Sequence, residues 1–89
     1  MEFKRRGMIE IVYLILECCT SGAPKTRIAY SAHIDFKTCI KYLDMLIERG
    51  ILEEVRVDRK KLYRVTPKGE QLLNYLKRII ELLDIELST

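Results

Sequence analysis

The sequence has few side chains that could carry out catalysis or bind a metal. Its only histidine is His33, and its three cysteines are Cys18, Cys19 and Cys39. Adjacent cysteines do not have the spacing of a chelating motif, and the sequence contains no glycine-rich phosphate loop and no nucleophile with a base at a recognisable distance. We therefore expect no enzyme activity, no metal and no cofactor.

The same four residues have plainer interpretations. We interpret the cysteines as small buried residues of a protein in a reducing compartment, with a redox switch as the alternative. We interpret His33 as a turn residue that hydrogen-bonds to the backbone. The apolar stretch Ile9–Leu16 is far shorter than the ~20 residues that span a bilayer, and no small-residue cleavage site follows it. We expect a cytoplasmic protein with no membrane partner.

Positive charge is concentrated in the body of the chain. Residues 1–69 carry 14 Lys and Arg against 9 Asp and Glu, whereas residues 70–89 carry 2 against 4. This asymmetry favours a body that faces a polyanion and a tail with a different role. No pattern in the sequence indicates a small-molecule ligand.

Apolar periodicity predicts two helices in the first third of the chain. The first runs from about Arg6 to Cys19, and Ile11 and Ile15 extend its apolar surface to a second face that could contribute to a subunit contact. The second is short, from about Pro24 to Ser31, with Pro24 as its first residue because the missing N–H has no helical partner there.

The third helix has the cleanest amphipathic pattern in the chain. Asp35 is a good N-cap before it, and Gly50 closes it as the residue after the C-cap. The apolar residues recur at spacings of three and four, which predicts a buried face. They are Phe36, Cys39, Ile40, Leu43, Leu46 and Ile47.

A hairpin and a last helix follow. The strands are expected at Ile51–Val57 and Lys61–Thr66, and the connecting Asp58–Lys60 lacks glycine, which favours a loop wider than two residues. Thr66 is the expected N-cap of the last helix, which runs from Pro67 to about Ile85.

This order of elements predicts an α+β, mostly α fold: a winged helix-turn-helix of three helices and a two-strand wing hairpin, followed by a C-terminal dimerisation helix. Residues 1–66 would form the DNA-binding domain and residues 67–89 the dimerisation helix. The last helix carries two adjoining apolar stripes, more than one helix buries at the edge of a small domain. The predicted dimer-interface residues are Leu72, Leu73, Leu76, Ile79, Ile80, Leu83 and Leu87.

Basic and polar residues lie where a winged helix meets a duplex: the start of the second helix, the start of the third helix and the hairpin tip. Each of these groups alone could be an ordinary solvated surface. The prediction rests on all three occurring at the positions where a winged helix contacts DNA. The predicted DNA-binding residues are Lys25, Thr26, Arg27, Lys37, Thr38, Lys41, Tyr42, Arg59, Lys60 and Lys61.

Three segments resemble a known family: Ser21–Ile34, Lys41–Glu54 and Tyr63–Leu73. They are similar to the small archaeal winged-helix DNA-binding proteins that dimerise through an antiparallel C-terminal coiled coil. The resemblance implies a homodimer, duplex DNA as ligand, and a role as a transcription regulator or chromatin-associated protein. The alternative is a winged-helix protein-interaction module in a larger assembly, because a fold does not fix a function.

Overall fold

The computed structural model describes residues 7–83, which form four helices and one antiparallel hairpin. This order confirms the predicted α+β, mostly α fold. The predicted helix ends at Arg6 and Ile85, and the interface residue Leu87, lie outside the described residues. The elements are α1 (Met8–Cys18), α2 (Lys25–Ala32), α3 (Phe36–Glu48), β1 (Leu52–Val57), β2 (Lys60–Val65) and α4 (Pro67–Leu83).

The core lies between the three N-terminal helices, the base of the hairpin and the first half of α4. Its most deeply buried side chains include Ile15, Leu16, Ile28 and Leu43. The suggestion that Ile11 and Ile15 contribute to a subunit contact is wrong, because both are buried in the core of their own subunit. Within residues 7–83, no helix combines the length and the apolar character needed to cross a membrane.

The start of α2 differs from the sequence prediction. Pro24 is the N-cap, in extended backbone, rather than the first helical residue. The reason is that Ala23 pairs with Tyr63 of β2: the Ala23 N–H donates to the Tyr63 carbonyl at 3.0 Å, and the Tyr63 N–H donates to the Ala23 carbonyl at 2.9 Å. This bridge ties the helix-turn-helix to the hairpin.

The two ends of α3 are as predicted, but its buried face is narrower. Asp35 caps the helix, with Oδ1 accepting from the Thr38 N–H at 2.7 Å, and Gly50 has a positive φ of 74° just after the helix. Phe36 and Ile40 were predicted to be buried, yet both are exposed. The core covers only the side of α3 that carries Cys39, Leu43 and Leu46.

The hairpin turn is tighter than predicted. Asp58 and Arg59 form a two-residue turn with φ values of 49° and 70°, and Val57 pairs directly with Lys60. Positive φ at both central residues is the pattern of a type I′ turn, whose twist matches that of the flanking strands. Asp tolerates this conformation through its short polar side chain, whereas Arg59 adopts it at the second central position, where glycine is usual.

The first turn of α4 is fixed closely to the end of α3. Thr66 accepts from the Gly69 N–H at 3.0 Å, as an N-cap should, and Pro67 is the first helical residue as predicted. Gly69 is required here for space: a Cβ would overlap the carbonyl oxygen of Ile51 and lie 2.8 Å from Val65 Cγ1. The glycine therefore allows the backbones of α4 and the start of the hairpin to approach.

The predicted dimer stripe on α4 divides into two parts. Leu73 and Leu76 are each 5% exposed and pack in the core of their own subunit, so the expectation that they offer surface to a partner needs correction. Leu72 and Ile80 are half-buried, while Ile79 and Leu83 are exposed. The physical reason is that α4 rests on α1 through its first half and extends past the core with its second half.

Candidate nucleic-acid interface

The outward face of α3 changes charge along its length. Because successive residues are 100° apart, the residues opposite the buried side are Lys37, Lys41, Asp44 and Glu48, and all four are exposed. The first half of this face is cationic and the second half is acidic. A recognition helix meets base edges with its N-terminal residues, and that is the cationic end here.

Thr38 and Tyr42 lie at the edge of this face rather than at its centre. Thr38 is half-buried and its N–H is taken up by the Asp35 cap. Tyr42 is also half-buried, packs against the core and lines a small surface pocket with Met8 and Met45. The two lysines are therefore better placed than these two residues to meet a ligand along α3.

The first turn of α2 lies beside the first turn of α3. The Lys25 ammonium is 5.6 Å from the centre of the Phe36 ring, within the range of a cation–π contact. The Cys39 thiol also contacts the Lys25 carbonyl, at 3.9 Å. Thr26 and Arg27 are exposed at the same end of α2. The structure thus brings two of the predicted basic clusters together.

The side chains of the three basic residues of the hairpin point in different directions. Arg59 occupies the turn, and Lys60 and Lys61 point to opposite faces because side chains alternate along a strand. Lys61 shares its face with Tyr63, which is buried in the core. The Lys61 ammonium is 3.6 Å from Glu54 Oε1. Lys60 lies on the other face, so the row of three does not form one contact surface.

Arg56 was missed by the sequence analysis. It pairs directly with Lys61 across the hairpin, on the face that also carries the buried Tyr63, and it is exposed. Within residues 7–83 it has no ion pair, whereas Arg64 on the other face is bound to Glu53 at 3.0 Å. The alternation of β1 could have identified Arg56, since it is two residues from Glu54 on the same face.

An ionised carboxylate, Asp35, lies beside two lysines at the start of α3. Hydrogen bonds from Thr38 hold the pKa of Asp35 below its usual value, and the charges of Lys37 and Lys41 lower it further. Asp35 therefore stays ionised as a cap. Its negative charge therefore remains at this end of the helix beside the charges of Lys37 and Lys41, with Oδ1 accepting from the Thr38 N–H.

The cysteines and His33 differ in their surroundings. Cys19 and Cys39 are fully buried, and burial raises the pKa of Cys19 to about 12 and the pKa of Cys39 in the same direction. All three thiols are free, and Cys18 is half-buried. His33 is the C-cap of α2 with left-handed backbone, and its backbone N–H donates to the Tyr30 carbonyl at 3.2 Å, so it lies in the turn as predicted. In the described part of the chain, no three His, Cys, Asp or Glu side chains are arranged to hold a metal ion.

One sequence relative and one solved structure, both archaeal, are similar to most of this chain. An uncharacterised protein of Methanocaldococcus jannaschii is 30% identical over 81 residues, covering 90% of this chain and 79% of the relative. The crystal structure of Sso10a-2, a DNA-binding protein from Sulfolobus solfataricus, has 33% identity and a TM-score of 0.80, covering 89% of this chain and 83% of that protein. These archaeal relatives confirm the resemblance to small archaeal winged-helix proteins.

A transcriptional repressor, CouR, bound to a 23-mer DNA duplex also has a similar structure. It has 27% identity and a TM-score of 0.66, and the match covers 81% of this chain and 52% of the repressor. The family model described as winged helix-turn-helix matches residues 5–84. The chain therefore belongs to the winged helix-turn-helix family.

Proposed function

We propose that this chain binds double-stranded DNA as a homodimer, as a transcription regulator or chromatin-associated protein, with α3 in the major groove and the wing, β1 and β2, on the backbone. One observation carries the proposal: cations from three elements that are adjacent in the fold have no ion pair within residues 7–83. They are Lys25, Lys37, Lys41, Arg56 and Arg59. The description of Sso10a-2 as a DNA-binding protein and the duplex bound to CouR support the same ligand.

The charge gradient of α3 gives the orientation of the helix on the duplex. Lys37 and Lys41 would contact phosphates or a guanine edge. Asp44 and Glu48 would be repelled by phosphates, so α3 would enter the groove with its first two turns and leave its acidic end outside. The first turn of α2 would meet the flanking backbone through its free N–H groups and Lys25.

The second half of α4 is the surface that we propose for self-association. Leu72, Tyr75, Ile79 and Leu82 follow one another at steps of three, four and three, which is the spacing of a coiled-coil seam. Tyr75, Ile79 and Leu82 are exposed in the subunit, and Leu83 lies beside them. This seam replaces the one predicted through Leu76, which faces the core.

Salt dependence of DNA affinity tests the proposed function. If each subunit neutralises about five phosphates, the logarithm of affinity for a random duplex falls with the logarithm of salt concentration with a slope near −4.5 per subunit. Lys41→Ala and Arg59→Ala each reduce that slope by about one. Arg78→Ala is the matched control, since Arg78 is an exposed cation on α4 with no ion pair in the described part of the chain.

A shallow slope, equal to that of one or two ion pairs, would contradict the proposal. Unchanged affinity in both Lys41→Ala and Arg59→Ala would contradict the surface assigned here. Failure to bind any duplex at low salt would favour the protein-interaction module instead. Footprinting beside a random-duplex control at equal salt distinguishes a regulator, which protects one sequence, from an architectural protein, which covers DNA uniformly.

A further inference from the structure

Two large apolar side chains stand exposed on the recognition helix. Phe36 is 47% exposed and Ile40 is 37% exposed. They are four residues apart, so they lie next to each other on the surface of α3. Side by side on the helix expected to contact a ligand, they offer a small apolar surface to that ligand.

The cations that surround this apolar pair indicate the occupant. Lys25 of α2 lies over the ring of Phe36, at 5.6 Å from the ring centre. Lys37 and Lys41 each follow one member of the pair by one residue and thus lie 100° further around the helix. Phe36 and Ile40 thus form an apolar pair with cations on both sides. This arrangement complements a polyanion that carries apolar groups between two charged strands.

The major groove of a duplex presents one apolar group, the C5-methyl of thymine. We propose that Phe36 and Ile40 are specificity-determining residues that contact C5-methyl groups, so that the protein prefers duplexes with methylated pyrimidines in the groove. This inference rests on the proposed function, because it requires α3 to lie in the major groove. The lysines supply affinity that is independent of sequence, and the apolar pair supplies selection.

Paired duplexes that differ only in the methyl group test this inference. One pair contains alternating A·T with either thymine or uracil, and the other contains alternating G·C with either 5-methylcytosine or cytosine. Burying one methyl group contributes about fourfold in affinity, so we expect the methylated member of each pair to bind at least about fourfold more tightly at equal salt. The salt slope should be the same for both members, because the phosphates do not change.

Variants separate direct contact from an effect of the methyl group on DNA shape. Phe36→Ala and Ile40→Ala should each reduce the preference while leaving the salt slope unchanged, and both sites are exposed enough for the subunit to fold. Tyr30→Ala is the matched control: Tyr30 is an exposed aromatic residue that lines a separate surface pocket with Leu14 and Glu17. It should keep the full preference.

Each outcome decides between the proposals. Equal binding of methylated and unmethylated duplexes, with a steep salt slope, would overturn the inference and leave the proposed function standing. A preference that persists in both Phe36→Ala and Ile40→Ala would also overturn it, since the methyl groups would then act through DNA shape or other residues. Failure to bind any of the four duplexes at low salt would overturn the proposed function itself.

Discussion

Replacing Leu82 by glutamate tests the proposed subunit contact without changing the core of the subunit. Leu82 is 75% exposed, so the substitution introduces a charge at a position that is already in water in the monomer. Leu76→Glu is the contrasting variant, because Leu76 is 5% exposed and its replacement places a carboxylate in the core. The sequence alone had assigned Leu76, and not Leu82, to the interface.

The size of the effect follows from the exposed surface of Leu82. Burying a whole leucine side chain contributes about 2 kcal/mol, so the three quarters that remain exposed contribute ~1.5 kcal/mol. A symmetric dimer contains the residue twice, which gives ~3 kcal/mol, or about a hundredfold in the dissociation constant of the dimer. Repulsion between the two new carboxylates would increase this figure.

Sedimentation equilibrium over a range of concentrations measures the dissociation constant, and thermal melting followed by circular dichroism measures folding. We expect Leu82→Glu to shift the protein to the monomer with its secondary structure retained, and Leu76→Glu to lose the folded structure. Asn74→Glu is the control, since it adds the same charge on a different face of α4. A dissociation constant unchanged by Leu82→Glu, or a wild-type protein that sediments as a 10.5 kDa monomer at high micromolar concentration, would refute the proposed contact.

Three further predictions concern stability. Gly69→Ala should lower the melting temperature although alanine favours helix, because its Cβ would overlap the Ile51 carbonyl; an unchanged or higher melting temperature would contradict the close approach. Asp35→Ala should lower the melting temperature by roughly 5 °C at neutral pH, whereas Asp35→Asn should retain most of the cap. In the wild type, the stability that the cap contributes should be lost only as acid protonates the Asp35 carboxylate, whose pKa is lowered by the hydrogen bonds from Thr38. Burial raises the pKa of Cys19 from 9.0 to about 12, so its protonated thiol contributes stability that is present below pH 9 and is lost as pH rises towards 12. Cys19→Ala should reduce the fall in the free energy of unfolding over that range by on the order of 4 kcal/mol. Parallel curves of unfolding free energy against pH for the wild type and the variant would contradict the assignment.

The order of elements could be predicted from the sequence because their boundaries are marked by local chemistry. Asp35 caps α3, Gly50 follows it with positive φ, and Thr66 and Pro67 begin α4, as the residue types indicate. These signals act within a few residues of the chain, so they need no knowledge of the tertiary structure. The hairpin turn was predicted wrongly because Asp58 and Arg59 adopt positive φ without the glycine that usually marks it.

The division of apolar residues between core and surface could not be predicted in the same way. Periodicity identifies which side of a helix is apolar, but not how much of that side the neighbouring elements cover. Phe36 and Ile40 fit the apolar pattern of α3 and are nevertheless exposed, while Leu73 and Leu76 fit a coiled-coil stripe and are nevertheless buried. In both cases the outcome depends on where α2 and α1 lie, which is a property of long-range packing.

The candidate site shows the same limit for charges. The sequence places Lys60 and Lys61 together, but the register of the hairpin directs them to opposite faces and pairs Lys61 with Arg56. Lys61 also lies within 4 Å of Glu54, so part of its charge is already balanced in the free protein. Which cations are available to a polyanion therefore depends on cross-strand neighbours, and the register had to be known first.

The helix proposed to read DNA and the helix proposed to pair subunits are joined by several hydrogen bonds. The Thr66 hydroxyl bonds to the Gly50 and Ile51 carbonyls, and the Lys68 ammonium donates to the Arg49 carbonyl at 2.8 Å, so the start of α4 is fixed to the end of α3. Gly69 adds direct backbone contact at the same place. Because these contacts fix the start of α4 to the end of α3, a symmetric dimer formed through the seam on α4 would hold its two recognition helices at one separation. The distance between half-sites on the duplex would then be set by the angle at which α4 leaves the core, and DNA would have to bend or twist to fit any other spacing.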